Sequence, residues 1–220
     1  MATLTVFPDP HPETTSVDGA TGRRSVDEAW ATIRAGGGNY SGDAETSNVI
    51  VAEVTSHTTL NNWQNIIRSI YLFDTSALGA NVNISSGTFS FFVVSKDDSF
   101  SQSISLVNST PASNTSLADS DYGNVGTTQQ ATDVTIASIT ASAYNTWSLN
   151  ATGLASISKT GITKFGLRTS GDRTNTEPTW VSAAESRING NLADTAGTGS
   201  DPKLEITYTA VVLPPQAIII

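Results

Sequence analysis

Asn65–Phe73 reads NIIRSIYLF and is closed by Asp74-Thr75-Ser76. The run is dense in Ile, Tyr and Phe, residues that fit a pleated surface, and a turn cluster ends it, so it predicts a strand. Phe89–Val94 (FSFFVV) is apolar on both faces at its centre and predicts a mid-sheet strand with partners above and below. Working outward, Thr3–Phe7, Val49–Val54, Ser103–Val107, Val134–Ile139, Trp147–Leu149, Ile162–Arg168 and Leu204–Thr209 continue the pattern, separated by clusters of Gly, Asn, Asp and Ser. Glu28–Arg34 (EAWATIR) is open to two readings. A helix over Val26–Ile33 is one; the alternation of Trp30, Thr32 and Arg34 before Gly36-Gly37-Gly38 favours the other, a strand, with the glycines as a flexible hairpin tip. One helical turn is expected near Leu154–Ile157. About ten short strands with one or two helical turns predict an all-β fold, a single jelly-roll-like antiparallel β-sandwich with extended N- and C-terminal segments.

The 220 residues divide into an N-terminal arm with the first strands (1–44), a core (45–209) that forms one domain with those strands, and an apolar tail (210–220). A chain of this length buries about 70% of its unfolded surface, so its core needs no staples. There are no cysteines, which excludes disulfides and thiolate metal sites. With 31 threonines and 28 serines but only 14% charged residues, the composition suits β surfaces and lacks the disorder signature. A net charge of −9 leaves no basic patch to displace counterions from phosphate, so no nucleic-acid partner is expected. No apolar run approaches the roughly 20 residues that span a bilayer, so no membrane partner is expected either. Met1–Val17 lacks a basic n-region and a long apolar h-region, so the expected product is made in the cytoplasm without a signal peptide.

Catalytic constellations are sparse. His11 lies between Pro10 and Pro12, His57 lies in a polar loop, and both read as surface histidines rather than bases beside a nucleophile. No G-x-S-x-G elbow, H-E-x-x-H pair or Walker loop occurs. Asp97-Asp98 reads as a charged turn. Asp119-Ser120-Asp121 has the look of a calcium loop, but the twelfth position of an EF-hand count is Gln130, so no cofactor is expected, with calcium in the acidic loops the one alternative. Sequons at Asn39, Asn83, Asn108, Asn114 and Asn150 are near what 15 asparagines in a Ser/Thr-rich chain give by chance. Among Trp30, Trp63, Trp147, Trp180, Tyr40 and Tyr122, Trp147 reads as core, while Trp63 and Trp180 sit in polar company and are the expected exposed pair for stacking on a sugar.

Arg68–Leu78 (RSIYLFDTSAL) followed by Ile84–Phe91 (ISSGTFSF) is similar to the core pattern of DNRLRE-type, TGF-β-propeptide-like β-sandwich modules. Trp147–Asn150, Phe165–Leu167 and Pro202–Tyr208 fall in that family's later order, so the resemblance spans residues 45 to 209; Gly87 departs from it where the family carries Ala. Arg68 and Asp74 have the same parity, so they share a face without touching. Their expected roles are structural: Asp74 accepts backbone N–H groups at the strand end, and Arg68 pairs with another sheet-end acid. The resemblance implies modules appended to secreted bacterial proteins, some of which bind polysaccharide. More loosely, Val17-Asp18-Gly19 with Trp30–Gly36, and the strand end FDTSALG, resemble proteins encoded among structural genes of environmental tailed phages.

The expectation is therefore a non-enzymatic virion structural protein, a capsid decoration or accessory subunit that is a homo-oligomer among other virion subunits. Its termini carry the assembly: Val211, Val212, Leu213, Ile218, Ile219 and Ile220 are too apolar to dangle in water and predict docking on a neighbour. The alternative is a carbohydrate-binding or receptor-binding module that meets a surface glycan through Trp63 and Trp180.

Overall fold

The computed structural model describes residues 1–211. Within them the chain runs β1 (Ala2–Val6), β2 (Asp18–Arg23), β3 (Glu28–Ala29), α1 (Trp30–Ala35), β4 (Tyr40–Gly42), β5 (Val49–Ser56), β6 (Asn62–Asp74) and β7 (Val82–Asp98). It continues β8 (Ser103–Ser109), β9 (Val125–Gln129), β10 (Val134–Thr135), β11 (Ala143–Ser148), α2 (Ala151–Ala155), β12 (Ile162–Thr169), α3 (Ser170–Thr174), β13 (Glu185–Gly190) and β14 (Lys203–Ala210). The fold is all-β and sandwich-like, and every strand pairing is antiparallel.

Two long strands organise it. β7 pairs first with β14 (through Ser90) and then with β13 (from Val93), while β11 lies along its other edge. β6 likewise pairs with β5 up to Ile67 and with β12 from Ser69, with β2 on its other edge. Hydrogen bonding thus passes without a break along β1-β14-β7-β13-β5-β6-β12-β8-β10. A bridge between Ala131 and Leu149 joins the segment after β9 to the segment after β11, which returns the pairing to β7.

β6 is buried on both faces. Its inward residues Ile67, Tyr71 and Phe73 enter the main core with Phe89, Phe91, Val93, Trp147 and Phe165. Rings stack there at offset angles, Tyr71 to Phe89 at 5.1 Å and Phe89 to Trp147 at 5.8 Å, and Trp147 donates its indole N–H to the Ile104 carbonyl. Each such side chain contributes about 1.5–3 kcal/mol by leaving water. On the outward side, Ile66 packs with Trp30, Ile33, Val54, Trp63 and Tyr122, and Ile70 and Leu72 pack with Val17, Val107 and Val125.

Several expectations are corrected. Glu28–Arg34 is a two-residue strand followed by helix α1, because Trp30 and Ile33, three apart, put one helical face onto β6. Gly38 is no flexible tip: a Cβ there would meet the Asp119 carbonyl oxygen at 2.0 Å, so the glycine permits a close approach. Val134–Ile139 holds only two strand residues before a 3₁₀ turn at Ile136–Ser138. In β7, Phe89, Phe91 and Val93 are buried but Phe92 and Val94 are half-exposed, so the doubly covered strand is β6 rather than β7. β2, β4, β9 and β13 have no counterpart among the expected strands.

Candidate functional site

The outward face of β6 places Arg68 between Ile66 and Ile70, under α1 and the 3₁₀ turn Asp119–Asn124. Its guanidinium meets the Asp172 carboxylate two-pronged, Nε to Oδ2 and Nη2 to Oδ1, both at 2.8 Å. Arg168, at the end of β12, grips the same carboxylate from the other side at 2.7 and 2.8 Å. Remaining donors reach carbonyls: Arg68 those of Tyr122 (2.6 Å) and Arg34 (3.0 Å), Arg168 those of Val125 and Gly126, and Arg34 that of Asp172 (2.7 Å). The Arg68 guanidinium also stacks 3.7 Å over the Tyr122 ring. Burial alone would raise the Asp172 carboxyl; the Arg68 charge and the hydrogen bonds from both arginines overcome it and hold the acid well below its usual range. Burial pushes the Tyr122 phenol up, and its hydroxyl donates to the Ile33 carbonyl. An acid so held is a poor base at neutral pH, and the arrangement pins α1, β6, β12 and α3 to one another.

Arg68 was expected to pair with a sheet-end acid and pairs with Asp172 of helix α3, while Asp74 accepts the Ser76 N–H at 2.9 Å. Asp172 and Arg168 were missed. Their sole sequence signal is an i, i+4 pair in Arg168-Thr-Ser-Gly-Asp172, which says nothing of Arg68, 104 residues away.

Trp63 and Trp180 do come together, but not as an exposed pair. Trp63 is wholly buried, packed edge-on against Trp30 at 5.1 Å and Phe100 at 5.4 Å, and it donates its indole N–H to Glu177. Its polar neighbours in sequence misled because in a strand they take the opposite face. Trp180 is half-buried, donates to the Asn62 carbonyl, and walls an open cleft of about 790 Å³ with Trp30, Asn61, Asn175, Glu177 and Thr179. The Trp30 indole N–H, buried at the cleft edge, has no partner among the described residues.

A second concavity, about 520 Å³, is lined by Arg24, Tyr40, Glu45, Asn48, Glu53 and Asn65 among others. Arg24 covers one face of the half-buried Tyr40 ring at 3.5 Å, and Tyr122, covered by Arg68, is wholly buried and presents no face to a sugar. Burial and the adjacent Glu45 carboxylate push the Tyr40 phenol up to about 12; burial also raises Glu53.

In the Asp119-Ser120-Asp121 run, Asp121 is buried and accepts from the N–H groups of Ala112 and Ala118 and from Asn124, and Asp119 accepts from Ser41. These acids serve the turn. His57 contacts Thr59 and Asp27, and His11 contacts Glu13. Val211 is exposed where the chain leaves β14; Val212, Leu213, Ile218, Ile219 and Ile220 lie outside the described residues. No family model matches the chain, and a search of curated proteins finds no match either.

Proposed function

We propose that the protein is a non-enzymatic structural subunit of a phage particle, a capsid decoration or accessory protein that acts in the virion and self-associates through its termini. The observation that carries this reading is the sheet edge at β1. β1 pairs with β14 in unbroken register from Ala2↔Tyr208 to Val6↔Leu204, and no strand covers its other side among the described residues. Its sequence, ATLTV, has none of the lysines, prolines or bulges that usually blunt a free edge, so a further strand can add there. β14 ends at Ala210 beside the start of β1, where Ala2 stands opposite Tyr208. We propose with it that the order of segments reflects kinship with DNRLRE-type modules.

Size-exclusion chromatography with light scattering on the full chain, on a chain ending at Thr209 and on a Thr3→Lys/Thr5→Lys variant tests the assembly. A defined oligomer that dissociates in both altered chains supports it; a monomer in all three sinks it. Mass spectrometry of purified particles decides the virion setting, by whether the chain is found in stoichiometric amount.

The tryptophan cleft favours a second reading, a carbohydrate-binding module, with Trp180 as its platform. Glycan-array binding lost in Trp180→Ala supports it. No array signal from the intact chain removes it.

A further inference from the structure

Twelve buried side-chain polar atoms have no partner among the described residues, and six of them gather at one end of the sandwich: Glu13 Oε1, Ser16 Oγ, Asp18 Oδ1, Tyr71 OH, Asp194 Oδ2 and Asp201 Oδ1. Buried polar atoms are nearly always paired, so this concentration calls for a cause. Asp18 is wholly buried at the start of β2, directly opposite Tyr71, whose ring lies in the main core and whose hydroxyl is equally buried. The side chain of Glu13 is 2% exposed and Asp201 is 4% exposed.

The acids are neighbours. Asp18 Oδ2 accepts the Ala193 N–H at 3.1 Å, one residue before Asp194, and Asp194 accepts the His11 N–H. Burial first, and then the charges of Asp194, Asp201 and Glu13, raise Asp18 well above its ordinary range; burial and Asp194 push Asp201 up to about 6. Among the described residues the one basic side chain joined to the group is His11, whose Nδ1 lies 3.0 Å from Glu13 and whose side chain is 51% exposed. The four acids thus lie near enough for the charges of Asp194, Asp201 and Glu13 to act on Asp18, each has an oxygen without a partner, and no arginine or lysine pairs with any of them among the described residues.

We propose that Asp18, Asp194 and Asp201, with Glu13 beside them, bind a calcium ion. The donors are all oxygen, which selects a hard cation. They come from separate segments, the N-terminal strap before β2 (Glu13), the start of β2 (Asp18), the loop after β13 (Asp194) and the turn before β14 (Asp201), and no three of the described acids already stand in a ready ligand arrangement. Calcium suits such a set, since it takes 6–8 oxygens in adaptable geometry, whereas magnesium requires a near-ideal octahedron. Access is by a pocket of about 270 Å³ between Pro8, Pro10 and the loop, on whose wall Asp194 and Asp201 both lie. Binding draws the loop and the strap onto Asp18 and removes the mutual repulsion.

The test is calorimetric melting of the full chain at pH 7.5, first stripped with EGTA and then given calcium or magnesium chloride. Calcium should raise the Tm by about 4 °C or more at saturation, with a smaller shift from magnesium, and titration calorimetry should show one calcium site. Asp18→Asn and Asp201→Asn, made separately so that one may fail to fold without loss of the test, should each abolish the shift. A melt indifferent to calcium and EGTA, an equal response to magnesium, or a shift that survives both substitutions would overturn the proposal. None of these outcomes depends on the assembly state.

Discussion

The molecule buries charge in two places and treats it in opposite ways. Around Asp172, two guanidiniums share one carboxylate, a third lies beside it, and the donors that remain reach backbone carbonyls. Around Asp18, acids face acids and leave oxygens unpaired. Burying an ion pair costs several kcal/mol per ion unless geometry and hydrogen bonds offset it. The first cluster meets that condition from within the chain. The second does not, and so a buried charge can be read as finished structure or as an open position by whether its atoms are satisfied.

The most damaging way to break the contrast is Asp172→Ala, which strands Arg68 and Arg168 without a counter-ion. It should cost about 3–5 kcal/mol, read as a fall in the urea midpoint at unchanged slope. Arg68→Lys should cost less, about 1–3 kcal/mol, because the charge stays while the two-pronged contact and the stacking on Tyr122 are lost.

The acidic end should respond with the opposite sign. In metal-free protein at pH 8, Asp18→Asn should stabilise by on the order of 1–2 kcal/mol, since it removes a carboxyl whose charged form is disfavoured by burial and by the neighbouring acids and which has one hydrogen bond. The pH profiles should diverge in the same way. Asp172 is held low, so its contribution is present above the unfolded carboxyl value near 3.9 and is lost only as pH falls through its much lower folded value. Asp201 is raised to about 6, so metal-free stability is greatest below the unfolded value and declines as pH climbs toward 6 and past it. Melting scans in EGTA from pH 4 to about 8 should show that decline in the wild type and a flatter curve in Asp201→Asn.

How much of this could be read from the sequence depended on where the pattern was local. β6 was legible because Ile, Tyr and Phe crowd a short run that ends in Asp-Thr-Ser. β2, DGATGR, was not: it has no large apolar residue, and it is buried because its glycines permit close approach, a Cβ at Gly19 meeting the Gly42 carbonyl oxygen at 2.3 Å and one at Gly22 meeting the Ile67 side chain at 2.3 Å. β13, ESRING, was missed for a related reason, since its pattern is broken by bulges at Asn189 and Gly190. Trp63 was misread because polarity along the chain was taken for exposure in space. Both charged clusters escaped because each joins residues over a hundred positions apart, Arg68 to Asp172 and Asp18 to Ala193, and no period or motif marks such a pairing.

The smallest expected effect sharpens the comparison most. Arg187 on β13 stands opposite Asp97 on β7, 3.1 Å from its carboxylate, and also meets Glu185 at 3.0 Å. One arginine between two acids resembles the Asp172 cluster with the signs exchanged, but Asp97 is 49% exposed and Arg187 29%. Water already solvates these charges, so the pair gains little and little is left stranded when it is broken. Arg187→Ala should cost about 0.2–1 kcal/mol, and raising salt to 1 M should shrink that difference. The Asp172→Ala deficit should be nearly unchanged by the same salt, because ions do not reach the buried guanidiniums. If both deficits screened alike, depth of burial would not be what separates the two arginine clusters.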